Sequence, residues 1–586
     1  MSRLTSVLII VFLLITLTAV PAFAAQAENT VEELDDMISG IIGSGRVKGA
    51  VMSVVQDGQI IYCKGFGYAD EYHDIPAAGD KTAFRIGSVS KTFVAAAVQI
   101  LVQEGRLDMD RDIAEYLGTD LPRLKYPVTM RQLLTHTAGF EEIITGMAVF
   151  NVSDTEPLSE SVMKYVPAQI HEPGTTVSYS NYGIALAAYV AESIAGQDFA
   201  QFCRERIFLP LGMKRTTFEH MHDTAYVSKA YLPNGAETPE PYMNLYPEGS
   251  AVSTAEDMAK YMRWLLDTED TRILTPQAKN ELFARQFAMA DELEGIGLVW
   301  NRKERNGELY YDKKGETLNF YTRIALYPRQ NTGIFLSFNT FLPEHEINEI
   351  MEKATDAMYG KEVISEHDPA EASMDISGSY ANYWSSASTP EKIFRYIVPG
   401  KMISITRSPD GGFMLDGAEM SLIGENLYRT PIGVMKFMKQ EGNKVIAAGS
   451  SLTYTMVPFL EHRIIQFTIP LLFIAFAVIN LIRELILRIR KKRERYSTVY
   501  MVGSLVQLIS ILALIFIMLE GIAAYRLLAF VIPMKICGWL IAAACGAEVM
   551  HTASLWHRHS PIRLLPACSC IVGILFSLWM AMLNII

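Results

Sequence analysis

Ser88 and Lys91 stand three residues apart in Phe84-Arg85-Ile86-Gly87-Ser88-Val89-Ser90-Lys91-Thr92-Phe93, just after a glycine and just before an apolar run. Phe93, Val94, Ala97, Ile100 and Leu101 recur at helical spacing and Gly105 is a natural stop, so the stretch reads as a tight turn delivering a serine to the start of a helix. Side chains three apart on a helix share a face. A serine hydroxyl becomes a useful nucleophile once a neighbour takes its proton. A lysine can do that where burial or a nearby cation brings its pKa well below the ~10.4 of water. The helix N-terminus adds backbone N–H groups aimed at charge developing on a substrate. Taken alone, Ser-x-x-Lys arises often by chance, and a helix cap followed by a surface lysine reads from the same letters.

Two later stretches bear on it. Tyr179, Ser180 and Asn181 follow the Pro173-Gly174 turn and precede a helix over Ile184–Ala195, which puts them on a polar loop between ordered elements. Lys313, Lys314, Gly315 and Glu316 lead into an alternating strand; by themselves the two lysines read as a solvated pair at a strand edge. His136, in Leu133–Gly139, reads as a histidine bracing a loop beside the site rather than as a base.

The elements that must position these residues follow from pattern. Residues 28–45 form an amphipathic helix, and Ala50–Gln56 and Gln59–Tyr68 are strands joined by the hairpin signal Asp57-Gly58. Met130–Leu134 is a short helix; Ser253 or Thr254 caps a helix running to Leu266. Strands at Tyr321–Tyr327 and Thr332–Asn339 precede a closing helix over Glu344–Tyr359. A polar linker occupies 363–373, and 374–460 holds short alternating runs broken by Pro-Gly, Asp-Gly-Gly and Gly-Glu-Asn, the pattern of a small antiparallel sheet or barrel. No chemistry is read in it; lid, spacer and substrate-contacting module stay open.

Composition narrows the class. The 586 residues imply two or more domains, and the 50% hydrophobic content exceeds what a soluble protein needs, the excess sitting at the two ends. A net charge of -12, with no basic face in the first 460 residues, argues against a nucleic-acid partner. The six cysteines show no metal-binding or disulfide spacing, so neither a metal nor a disulfide is expected. Residues 1–27 read as a secretory signal, with Arg3, an apolar core from Val7 to Val20 and Ala22-Phe23-Ala24 for cleavage. Segments 464–482, 499–519, 527–547 and 564–586 read as transmembrane helices. The basic run from Arg488 to Arg495, together with His557-Arg558-His559 and Arg563, places those loops in the cytoplasm and residue 460 outside, as the signal independently requires.

As an ordered set, Ser88-Val89-Ser90-Lys91, Tyr179-Ser180-Asn181 and Lys313-Lys314-Gly315 resemble the class C β-lactamase-like, penicillin-binding-protein-like serine hydrolases, with their D-aminopeptidase, DD-peptidase and esterase relatives. Gly65–Asp70, Leu133–Gly139, Pro210-Leu211-Gly212-Met213 and Ser253–Asp257 support the resemblance, which covers about residues 30–360. It implies an α/β (α+β) domain over 28–362, an antiparallel sheet flanked by helices plus an all-helical region, followed by the small β domain and the membrane region 461–586. It also implies roles. Ser88 would be the nucleophile of an acyl-enzyme, and Lys91 and Tyr179 would share the base work, with two cationic lysines lowering the tyrosine pKa. Asn181 would hold the substrate amide and orient Lys91, and Lys313 would line the site on its strand. Backbone N–H groups of Ser88 and of Glu316, after Gly315, would form the oxyanion hole. No cofactor is implied.

Relatives usually carry Lys-Thr-Gly or His-x-Gly, whereas here Lys314 is the middle residue and Glu316 follows the glycine. The missing hydroxyl argues against efficient β-lactamase and standard DD-carboxypeptidase activity. The leading expectation is a membrane-anchored extracytoplasmic serine hydrolase acting on an amide or ester. Its substrate would be a small peptide or ester, best a D-amino-acid-containing peptide from cell-wall fragments or a secreted prodrug-like product. The alternatives are a non-catalytic sensor or scaffold that binds cell-wall ligand or β-lactam, and a true β-lactamase. The lipid bilayer is the one partner the sequence names; oligomeric state is not legible in it.

Overall fold

The computed structural model describes residues 30–118, 123–219, 226–363, 373–440, 444–490, 497–556 and 564–586. The expected leader over 1–27, most of the 363–373 linker, most of the basic run and residues 557–563 lie outside the described residues.

Asp57 and Gly58 both take positive φ, 48° and 74°, which is the twist a two-residue hairpin needs, and they join the strands Gly49–Gln56 and Gln59–Asp70. Gly49–Gln56 then pairs on its other side with Thr332–Phe338, Val54 opposite Ile334, so the two ends of the domain meet in mid-sheet. The full order is Asn301–Arg305, Glu308–Glu316, Tyr321–Tyr327, Thr332–Phe338, Gly49–Gln56, Gln59–Asp70 and Ile75–Pro76, antiparallel throughout.

Alternation along these strands supplies two cores. Met52, Val54, Ala325, Tyr327 and Leu336 pack against the helices 30–43 and Glu344–Tyr359. Val51, Val55, Ile324, Leu326 and Phe335 face the helical region, with Ala255–Leu266 against the sheet. In that region Lys91–Gln103 and Asn181–Ala195 are buried nearly all round, which is why they are apolar on every face rather than on one stripe. Thr254 is the residue that caps Ala255–Leu266.

The segment read as a sheet or barrel is a closed barrel of eight strands between Gly378 and Met456. Its first strand pairs with both Met402–Arg407 and Thr453–Met456, leaving no open edge, and Tyr380, Phe413, Tyr428 and Phe437 fill it.

Three of the four expected spans are helices long and apolar enough to cross a bilayer: Arg463–Ile489, Thr498–Ala523 and Val531–Ser554. Pro533 and Lys535 do not break the third, because its α-helix starts at Val531 and a proline is tolerated in a first turn. The fourth is shorter than expected. Its helix, Leu564–Met582, packs on the first and third but its described apolar part is only Ala567–Met582. The chain turns at Asn584 (φ 58°), whose amide donates to the carbonyls of Ala387 and Thr389 at 3.2 and 3.3 Å. The bundle also meets the α/β domain, where Gly146 N–H donates to the Tyr525 carbonyl at 2.8 Å.

Candidate active site

Gly87 has φ +51°, and a Cβ there would lie 2.5 Å from the Glu316 nitrogen; only glycine fits. Across the same gap a Cβ on Gly315 would lie 1.9 Å from the Ile86 carbonyl. The two glycines therefore let the strand Glu308–Glu316 press against the turn that carries Ser88. That turn, Gly87–Ser90, is a 3-10 turn running directly into the helix Lys91–Gln103, so Ser88 precedes the α-helix proper.

The Lys91 ammonium donates to Ser88 Oγ at 2.8 Å, and the Tyr179 hydroxyl donates to the same oxygen at 2.9 Å. Lys91 also donates to Asn181 Oδ1 at 2.7 Å and to the backbone carbonyl and carboxylate Oε2 of Glu248 at 2.6 and 2.7 Å. Asn181 opens the helix Asn181–Ala195, capped by Ser180, rather than lying on the loop. The Glu142 carboxylate accepts from its backbone N–H at 3.1 Å and its Nδ2 at 2.7 Å, which fixes the oxygen end of the amide on Lys91.

Lys313 is buried and holds its ammonium 5.2 Å from the centroid of the Tyr179 ring. Strand alternation turns its neighbours outward: Lys314 is exposed and pairs with Glu344 at 2.9 Å, and the Glu316 side chain reaches toward Lys314. Glu316 thus reaches the Ser88 turn with its backbone and not its carboxylate. Every residue expected at the site is at it, with the Lys314 and Glu316 side chains facing away. His136 is buried, stacks on Tyr179 with 4.2 Å between centroids and accepts from the Ser180 N–H at 3.2 Å, which is the bracing role.

The charges differ from expectation. Burial disfavours charge on Lys91, but the Glu248 carboxylate and, after it, Tyr179 together outweigh burial and hold the ammonium above its ordinary pKa. Burial likewise pushes the Tyr179 hydroxyl up, against the pull of Lys91 and the Ser88 hydrogen bond, so the expected lowering by two lysines is reversed. The Glu248 carboxylate adds to the rise of Tyr179, and Lys313 is itself brought down to about 7 by burial and then by Lys91. The arrangement can activate a hydroxyl at Ser88 with a lysine and a tyrosine on either side of it.

Four residues at or beside the site carried no signal in sequence. Glu248 lies in the short turn Tyr246–Glu248 and is buried against Lys91. Glu142 is buried under Asn181, and burial pushes its carboxyl up to about 7. Trp384 and Lys401 come from the barrel. Between its first two strands the chain leaves the barrel wall and lays Trp384 edge-on to Tyr179, with 5.1 Å between ring centroids. Lys401 sits 3.2 Å from the centroid of the Trp384 ring, and burial brings its amine down to about 7 while the Glu142 carboxylate opposes the fall. The domain read as empty of chemistry thus supplies one wall of the site.

Reciprocal carboxylates fix that wall. Glu141 accepts from the N–H groups of Ala387 and Ser388 at 2.6 and 2.8 Å. In return Glu391, on the barrel side, accepts from the N–H groups of Ile144 and Thr145 at 2.6 and 3.0 Å.

Comparison with known proteins agrees with this geometry. Among relatives, Protein flp of Staphylococcus aureus (strain MW2) is 28% identical over 327 residues, 53% of this chain and 63% of that protein. The "Putative penicillin-binding protein PbpX" of Bacillus subtilis (strain 168) is 28% identical over 251 residues, 42% of this chain and 62% of that protein. The chain thus spans less than two thirds of the length of either relative. The crystal structure of SurE shares the fold at TM-score 0.52 and 18% identity, covering 74% of this chain and 99% of that one; SurE with D-Leu does so at 0.50 and 19%, covering 73% and 100%. The family model described as Beta-lactamase matches residues 28–355, more than half of the chain, which therefore belongs to the beta-lactamase family.

Proposed function

We propose that this chain is a membrane-anchored serine hydrolase that opens an amide or ester through an acyl-enzyme on Ser88. One observation carries the reading: the Ser88 hydroxyl oxygen is bracketed by Lys91 at 2.8 Å and Tyr179 at 2.9 Å. In this reading Ser88 attacks the carbonyl while Lys91 and Tyr179 manage its proton. Backbone N–H groups of Ser88 and Glu316 receive the oxyanion, as the close approach of Gly87 to the Glu316 nitrogen supports. Asn181 holds the substrate amide, and Lys313 faces its carboxylate or carbonyl.

The substrate class we favour is a peptide with a D-residue beside the scissile bond. The resemblance of the Ser88, Tyr179 and Lys313 motifs to D-aminopeptidases and DD-peptidases motivates it, and SurE, solved with D-Leu, suggests D-leucyl compounds for the test panel. Lys314 turns outward to Glu344, so no hydroxyl from that position meets the substrate, which weighs against a β-lactamase. We further place the α/β domain and the barrel on the extracytoplasmic face. Both rest on the bundle end formed by residues 523–527 and 583–586, and Arg488 and Arg490 mark the other end, which the positive-inside rule assigns to the cytoplasm.

The test is intact-mass analysis of the full chain in detergent with a fluorophosphonate and a penicillin, beside Ser88→Ala. Release of D-Ala, D-Leu and p-nitrophenol from acyl substrates is followed in parallel. An adduct on Ser88 with turnover is the expected result. Labelling without deacylation points to a sensor, and folded protein that neither labels nor turns over refutes the hydrolase.

A further inference from the structure

Lys91 Nζ has four acceptors around it: Ser88 Oγ, Asn181 Oδ1, and the backbone carbonyl and carboxylate of Glu248, all between 2.6 and 2.8 Å. An ammonium has three N–H donors and no lone pair. Three of its partners can only accept: a carbonyl, a carboxylate, and the Asn181 oxygen that Glu142 holds in place. As long as Lys91 keeps all three protons it cannot take one from Ser88.

Tyr179 offers no easier route, because its hydroxyl donates to Ser88 and burial opposes its ionisation. The group with a free electron pair one step from Ser88 is the Glu248 carboxylate. It is 3% exposed, set by Pro247 in a turn whose continuation is tied to the serine turn: Ala251 N–H donates to Ser90 Oγ at 3.2 Å, and Ile86 N–H to the Ala251 carbonyl at 3.0 Å. Glu248 and Lys91 are thus held in one rigid unit with Ser88.

We propose that Glu248 is the positioning residue that completes the base: it takes a proton from Lys91 as Lys91 takes the proton of Ser88. In the acylation step the Ser88 O–H bond breaks and its proton bonds to Lys91 Nζ, while one Lys91 N–H proton passes to Glu248 Oε2. The Ser88 oxygen lone pair forms the bond to the substrate carbonyl carbon. On collapse the proton returns from Glu248 through Lys91 to the departing amine or alcohol, so Lys91 ends as it began. The inference rests on the acyl-transfer reading of Ser88 and adds a residue to it. Other titratable groups facing this pair are Tyr179, Lys313, His136 and Glu142 from the α/β domain and Tyr525 from the bundle turn.

The experiment measures the rate of Ser88 acylation by a p-nitrophenyl ester against pH in the full-length chain, wild type and Glu248→Gln. Glutamine keeps the shape and an acceptor but cannot take a proton. The expected result is a loss of about 10²-fold or more at neutral pH. The acid limb moves to higher pH, because the base is then the free amine of Lys91 itself; a purely structural role would lower the rate without moving the limb. A wild-type proton inventory in H2O–D2O mixtures is independent of how the variant folds: two protons in flight give a curved plot. An unmoved acid limb in Glu248→Gln, or a linear inventory, overturns the proposal. Wild-type protein that forms no Ser88 adduct overturns the acyl-transfer reading as well, which separates the two failures.

Discussion

On the α/β side of the cleft, Ser88 is held by hydrogen bonds of 2.8 and 2.9 Å from Lys91 and Tyr179. On the barrel side, Trp384 meets the Tyr179 ring edge-on at 5.1 Å between centroids. The first wall is directional and charged, and its members come from turns that local glycines and caps have already shaped. The second contributes area and exclusion of water, and its placement depends on the reciprocal carboxylates Glu141 and Glu391 clasping the partner domain. Proton transfer tolerates little displacement, whereas an aromatic wall tolerates more. Chemistry and selectivity should therefore separate under mutation.

Gly315→Ala tests the first wall most severely. Its Cβ would meet rigid backbone 1.9 Å away, so the strand must leave the serine turn. Acylation should fall by about 10²-fold or more in burst-phase kinetics, the cost of a displacement near 1 Å.

Removing both clasps, Glu141→Ala with Glu391→Ala, loosens the second wall. Each carboxylate accepts charge-assisted hydrogen bonds, of about 1.5–3 kcal/mol apiece. Hydrogen exchange at Ile144, Thr145, Ala387 and Ser388 should accelerate while Ser88 still labels with fluorophosphonate. Loss of labelling in the folded variant would merge the two walls into one unit.

Trp384→Ala should raise KM about 10-fold with a smaller change in kcat, the scale of one aromatic contact. A fall in kcat alone would instead assign Trp384 to the chemistry.

Lys313 is brought down to about 7, so its ammonium is present below that pH and lost above it. For a carboxylate-bearing substrate, KM should therefore rise as pH passes upward through 7, while an ester without a carboxylate shows no such rise. The smallest effect is expected of Lys314→Thr. The residue is exposed and its pair with Glu344 is a surface one worth under about 1 kcal/mol, so stability and ester turnover should change little.

Much of the first wall was legible in the letters. Gly87 before Ser88 reads as a turn and Asp57-Gly58 as a hairpin, whereas Lys313 and Lys314 read by themselves as a solvated pair, and the strand that turns one inward and the other outward is seen only in the fold. Glu248 was not, since Tyr246-Pro247-Glu248 reads as any solvated turn until it is folded beneath Lys91, far away in the chain. The barrel was legible as strands but not as a wall. The stretch from Tyr383 to Lys401 is a long connection between strands, and nothing in it tells that it leaves the barrel toward Tyr179.

By itself the sequence determined the elements and the nucleophile's setting, because turn chemistry, helix caps and apolar period act over a few residues. It also determined that the chain from about residue 461 onward is built for an apolar solvent, since runs of that length cannot otherwise be accommodated. Only the tertiary structure decided the charge on Lys91, the rise of Tyr179 and the fall of Lys313. Those depend on burial and on which carboxylate faces which amine, and both are set by segments that meet only when the chain folds.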